Sequence, residues 1–283
     1  MRVVQTAARV QEPRLPDGGV LRGAYGLPVG TLWAKNPFSN TPAAHVRLAH
    51  VDQGYLNDCF LNAVMGALAL KQPERIERML TYHADHVDVR FPDEVVHIGR
   101  ELPMLDGRPM YSGSGGNGVL WPSYIEKAVA SRLPEGYASL DRGGDVRQAF
   151  RWLTGARPHK LAPPTGSIVA DIRARLGDGQ AVVVGTYRTP STSMRGREMS
   201  ALGLYADHAY VAQSVFSKDG VPQLRLWNVW GNSHPMTLNE DQVRRLVSEV
   251  VTDRSWYFVP DALAYGGSSS VINGQPGPVG PMA

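Results

Sequence analysis

The chain has 283 residues, 43% of them hydrophobic, and a formal charge of +3 from 29 basic and 26 acidic side chains. That supplies a globular core and offers no charge field that demands nucleic acid or an anionic membrane as partner. The single cysteine, Cys59, excludes an internal disulfide and any cysteine-rich zinc site, leaving burial or reactivity to explain it.

Residues 1 to about 45 scatter Pro, Gly and Asn without periodicity, and a loop-rich extension wrapped on the main body is expected there. The opening residues lack an apolar core of signal-peptide length, and no stretch approaches the roughly 18 apolar residues of a membrane span. The expectation is a soluble chain, either cytoplasmic or a domain fused to and delivered by a larger protein. From Cys59 to Leu70 the sequence is apolar on nearly all sides, which predicts a helix buried mid-domain, with Asn57 and Asp58 as capping residues. A second helix is expected over 73–82, strands over 87–91 and 95–98, a helix over 120–130, and an amphipathic helix over 144–153 stopped by Gly155 and Pro158.

From about residue 161 the pattern turns β-rich, with a helix over 168–176 and strands over 181–185, 208–215, 223–229 and 255–259. Residues 189–198 read as a mobile polar loop beside His208, able to gate a cleft. The last stretch is Gly, Ser and Pro, a disordered tail or a linker. The organisation expected is an extension over 1–45, a helical subdomain over 46–160, a β-rich subdomain over 161–262 and a tail over 263–283.

The chemistry lies in three places. Cys59 begins the apolar helix six residues after Gln53, where a helix N-terminus favours a thiolate; Asp207-His208-Ala209-Tyr210 offers a general base; and Asn228, in Leu226-Trp227-Asn228-Val229-Trp230-Gly231, offers an amide to orient it. A resting thiolate and imidazolium pair is the expectation. Cys59 would attack a carbonyl, His208 would protonate the leaving amine and then activate water, and Asn228 would hold the ring. Gln53 and the Cys59 backbone N–H would donate to the oxyanion, and Trp230 would cover the Asn–His bond. A lone cysteine on an apolar helix more often packs a core, and a lone histidine in a β-rich region is more often structural; the ordered set is what favours chemistry.

The remaining candidates are weaker. His83-Ala84-Asp85-His86 has the composition of a metal pair but reads as an ordinary helix end, so no metal or cofactor is expected. The glycines from Gly113 to Gly118 lack the Lys-Ser or Lys-Thr of a phosphate loop. Arg188, Arg195 and Arg197 read as a solvated loop, or a handle for acidic substrate residues.

The chain resembles the calpain-like cysteine proteases. Their first motif, Gln-Gly-x-Leu-Gly-Asp-Cys-Trp, is matched by Gln53, Gly54, Leu56, Asp58 and Cys59, with Asn57 for Gly and Phe60 for Trp. Their His-Ala-Tyr is His208-Ala209-Tyr210, their Asn-Pro-Trp-Gly is Asn228-Val229-Trp230-Gly231, and further landmarks extend the likeness over about residues 47 to 260. The resemblance implies an α+β, papain-like fold of two lobes with the site between them, and endopeptidase activity on protein or peptide substrates. Acyl transfer or deamidation of protein side chains on the same residues, or a catalytically silent binding module, are the competing readings. Animal calpain cores bind calcium in each half. Here His50, Arg151 and the segment Asn232-Ser233-His234-Pro235 stand where that family places carboxylates, and imidazole and guanidinium are not calcium ligands. A calcium-independent relative with a preassembled cleft is expected, with the Arg151 guanidinium standing in for an ion.

Overall fold

The computed structural model describes Pro13, Leu15 and residues 24–33, 45–113, 118–231 and 236–262. Most of the N-terminal extension, the C-terminal tail, the middle of the Gly113–Gly118 segment and residues 232–235 lie outside these.

Helix α1 (Cys59–Lys71) carries no polar face, and every residue from Phe60 to Ala69 is buried. A helix without a solvent side must be covered all round, and the fold is built as that cover. The Pro73–Met79 helix, α2, follows at once. Its predicted continuation to Tyr82 fails: Leu80–Tyr82 is strand β2, whose backbone pairs with β3 (His86–Arg90), Leu80 opposite Val89. β3 pairs in turn with β4 (Val95–Gly99). A second small sheet joins β1 (Ala24–Gly26), β5 (Leu102–Leu105) and β6 (Arg108–Pro109). Three helices complete this part of the chain, α3 (Trp121–Ser131), α4 (Tyr137–Asp141) and α5 (Val146–Thr154). Gly155 closes α5 in the left-handed conformation, as its position suggested.

The rest of the chain forms a seven-stranded sheet. Its members are β7 (His159–Lys160), β8 (Val182–Thr186), β9 (Ala209–Lys218), β10 (Val221–Asn228), β11 (Met236–Leu238), β12 (Val247–Thr252) and β13 (Ser255–Phe258), in the order β11-β10-β9-β8-β12-β13-β7. All pairs are antiparallel except β13 with β7. α6 (Ile168–Gly177), α7 (Met194–Ala201) and α8 (Glu240–Leu246) accompany it. The fold is a mixture of helices and separate, mainly antiparallel sheets, an α+β protein.

Two expectations are corrected. Residues 189–198 are not an open loop: Ser193 accepts from Gly196 N to cap α7, and Arg195 pairs with Asp261 while lying 4.0 Å over the Tyr187 ring. Asp58 stands at the N-cap of α1 but makes no capping bond to the backbone; its carboxylate accepts from Asn62 Nδ2 at 2.9 Å instead. β11, α8 and β12 were not anticipated.

Strand alternation divides the core. Val183 of β8 and Val211 of β9 face α1, while Val182, Val184, Tyr210 and Ala212 face Ile168, Ile172, Val243 and Leu246 of α6 and α8. α1 presses closely on β9, since a Cβ at Gly66 would sit 3.0 Å from Val211 Cγ2 and 2.8 Å from Leu48 Cδ1. Gly54 is more constrained still. It has φ +68°, and a Cβ there would meet the Tyr111 and Met110 carbonyl oxygens at 2.6 and 2.7 Å. Backbone cannot yield as a side chain can, so Gly54→Ala combines left-handed strain with a clash. We expect a loss of about 1–3 kcal/mol in urea denaturation.

Candidate active site

Each site residue is held by backbone. Gln53 is buried, and its N–H donates to the Val229 carbonyl at 2.8 Å, joining the segment before α1 to the end of β10. Asp52 extends the join: its carboxylate packs against Gly231, where a Cβ would lie 2.5 Å from Asp52 Oδ2. The Gln53 side chain donates through Nε2 to the Leu56 carbonyl. One amide hydrogen is thereby used and the second is left for another acceptor.

Cys59 opens α1 and is half-buried. The Ala209 N–H, immediately after His208, and the Phe60 N–H lie against its sulfur. The passage of α1 across the start of β9 thus sets the thiol against the residue that follows His208.

His208 is buried at the mouth of β9. Asp207 takes φ +53° to turn the chain into the strand, and Thr186 clamps the turn, its Oγ1 accepting from His208 N at 3.0 Å while its own N–H donates to His208 O at 3.0 Å. The ring is walled by Tyr210 at 4.8 Å and by Trp230 at 4.6 Å between centroids, and Tyr205 packs at a tilt against Trp230 at 4.2 Å. Asn228 Oδ1 lies 2.9 Å from His208 Nε2 and accepts from Trp230 N at 3.1 Å. The second bond fixes the amide, because a backbone N–H can only donate and the atom facing it must be the oxygen. Nε2 therefore carries the hydrogen, and Nδ1 keeps the lone pair of a base.

Burial governs both titrating groups. Desolvation pushes the Cys59 thiol up to about 11, against the Ala209 and Phe60 N–H groups that pull it down, with the charges of Asp58 and Asp207 adding to the rise. Desolvation pushes His208 down to about 4, against the bond to Asn228. Both shifts work against the expected resting thiolate and imidazolium pair, because burial leaves little water to solvate either ion.

Behind Cys59 lies a polar cluster the sequence did not suggest. Asp58, Asn62, Ser112 and Glu126 are all buried, with Ser112 Oγ 2.6 Å from both Asn62 Oδ1 and Glu126 Oε1. Burial pushes the Asp58 and Glu126 carboxyls up, and their proximity forbids ionising both. The one signal was Asn62, an amide inside an otherwise apolar helical run. A cleft of about 630 Å³ lies alongside, lined by Asp52, Gly54, Tyr55, Leu105, Asp106, Arg108, Pro109 and Trp230. Cys59 and His208 are outside its lining, so it neighbours the pair and does not contain it.

The calcium positions are also accounted for in part. His50 is buried with Nδ1 accepting from Trp121 Nε1 and Arg47 N, both at 3.2 Å, and burial with the Arg47 charge holds it down to about 4. Arg151 is exposed on α5, which removes the case for its guanidinium gathering carbonyls. His234 lies outside the described residues.

A thiol at a helix start, against the residue that follows an imidazole oriented by a buried amide, fits the class of thiol hydrolases. The chain matches the calpain family cysteine protease model over residues 35–237, and it belongs to that family, whose members are cysteine-type endopeptidases. No curated protein matches the chain. No helix among the described residues is long and apolar enough to cross a membrane.

Raised carboxyl pKa values contribute stability that is present at acid pH and is lost as pH rises through the raised range. Glu126→Gln keeps a neutral hydrogen-bonding group there. Urea unfolding from mildly acid to neutral pH should show the variant gaining on the parent as pH rises, and a constant difference between them would show that the Asp58–Glu126 pair shares no proton.

Proposed function

We propose that this protein is a calcium-independent endopeptidase of papain-like, two-lobed architecture, working by a Cys59–His208–Asn228 mechanism on protein or peptide chains. The observation that carries the reading is the amide of Asn228, locked by Trp230 N, which leaves His208 Nδ1 as the free base next to the Ala209 N–H on which the thiol rests. In the free enzyme the proton stays on Cys59. As the sulfur attacks the scissile carbonyl, His208 Nδ1 takes that proton, and the imidazolium passes it to the departing amine. Water then enters, gives a proton to Nδ1 and attacks the acyl carbonyl; the C–S bond breaks, the acid leaves, and the imidazolium returns the proton to the Cys59 sulfur. Asn228 keeps the ring in register throughout, and Trp230 with Tyr210 shields it from solvent.

The oxyanion would be held by the Cys59 backbone N–H, free as the first residue of α1, and by the second amide hydrogen of Gln53. Independence from calcium is supported by His50, whose ring nitrogen is already engaged, and by the direct bond from Gln53 N to Val229 O, which needs no ion to align the two sides. The complete set of Gln53, Cys59, His208 and Asn228 weighs against a silent binding module. Fragment analysis by mass spectrometry separates peptide hydrolysis from acyl transfer to side chains.

Cys59→Ala should be folded and inactive, and retained peptidase activity would overturn the mechanism. Gln53→Ala should lower kcat by roughly two orders of magnitude with KM little changed, since its amide acts on charge present only in the transition state. The pH profile follows from the two shifts. His208 held near 4 is a neutral base above that pH, and Cys59 held near 11 keeps its proton below that pH, so kcat/KM should form a broad plateau between them. Thiolate ultraviolet absorbance should be absent at neutral pH and lost only in Cys59→Ala at the alkaline limb; a thiolate signal already present at neutral pH would restore the ion pair.

A further inference from the structure

The β2–β3 hairpin carries a second set of chemistry-bearing residues. Val87 and Val89 of β3 and Ile98 of β4 are fully buried, so alternation turns His86 and Asp88 to the opposite face of the sheet, and the register sets His97 directly across from Asp88. The hairpin turn then folds His83 over the same face. His83 Nε2 lies 3.1 Å from Asp88 Oδ2, His86 Nε2 lies 3.1 Å from Asp88 Oδ1, and His97 Nδ1 lies 2.6 Å from Asp88 Oδ1. Three imidazoles therefore converge on one carboxylate. This is not the helix end that the sequence suggested.

The arrangement has the features of a ligand set. The donor atoms of His83, His86 and Asp88 lie within 4.8 Å of one another. A tetrahedral zinc ion with bonds of about 2.0–2.1 Å needs donors about 3.4 Å apart, a distance that side-chain rotation reaches from here. The His83 and His86 rings are nearly parallel at 4.3 Å, a spacing at which two imidazolium ions repel and a shared cation does not. His86 is oriented from outside, its Nδ1 lying 2.7 Å from Asp85 Oδ1, which directs Nε2 inward as carboxylates do behind metal-bound histidines. The His83 side chain is 39% exposed, which leaves an entry path.

We propose that His83, His86 and Asp88 bind one divalent transition-metal ion of the zinc type, with water as fourth ligand, Asp85 orienting His86, and His97 holding the Asp88 carboxylate from the neighbouring strand. Two nitrogen donors and one carboxylate favour zinc, cobalt or copper over calcium. The ion would tie the hairpin turn to β3, on elements separate from Cys59 and His208.

The test uses the full chain with Cys59→Ser, which removes the thiol as a competing ligand, and cobalt(II) as the probe. One equivalent should bind with the visible absorption of a tetrahedral N,O site and be displaced by zinc, and zinc should raise the melting temperature. His83→Ala and His86→Ala, each verified as folded by its metal-free melt, should abolish stoichiometric uptake, and Asp85→Ala should weaken it about tenfold. In the active chain, His83→Ala should leave peptidase activity unchanged. Absence of stoichiometric uptake, or uptake that survives both histidine substitutions, would overturn the proposal.

Discussion

The site depends on one crossing. Segments far apart in the sequence, the start of α1 and the joined ends of β9 and β10, are held together by the Gln53 N–H to Val229 carbonyl bond and by the close packing of Gly66 against Val211. Neither contact involves a catalytic atom. Yet if the helix shifted by a fraction of a side chain, the Cys59 sulfur would leave the Ala209 N–H, and with it the residue that follows His208. α1 can press so closely because it has no polar side to keep wet, and Gly66 removes the one Cβ that would hold it off. Composition thus becomes register, and register places the thiol.

The crossing also sets the electrostatics. A dry interface fixes the imidazole through Asn228, Trp230 and Tyr210, and the same dryness raises the energy of a thiolate and an imidazolium. Preorganisation and charge separation are in tension here. In the mechanism we propose, both groups stay neutral until a substrate carbonyl arrives, and charge then forms beside backbone N–H groups and the Gln53 amide.

Much of this was legible in the residues. The all-round apolar run after Cys59 has only one physical solution, and α1 formed within a residue of its expected end. The order of Gln53, Cys59, His208 and Asn228 pointed to the candidate site, and the match over residues 35–237 identifies the family. Local pattern failed where tertiary pairing won. Residues 80–82 continue a helical rhythm but are drawn into strand by β3, and Met194–Ala201 looks like polar loop until Ser193 caps it and Asp261 anchors Arg195. The metal-like cluster was hidden for the same reason, since Asp88 and His97 join His83 and His86 only through strand register. Desolvation at Cys59 was not legible at all, because burial is a property of the assembled interface and not of the helix start.

We propose that this interface stands assembled, with the thiol beside its base, without a calcium ion to draw the two sides together. The direct measurement is the rate at which a peptidyl electrophile that reports on catalytic thiols labels Cys59, followed by intact mass in excess EGTA and again with added calcium. The account predicts stoichiometric labelling at one rate in both conditions. Labelling that required calcium would contradict it.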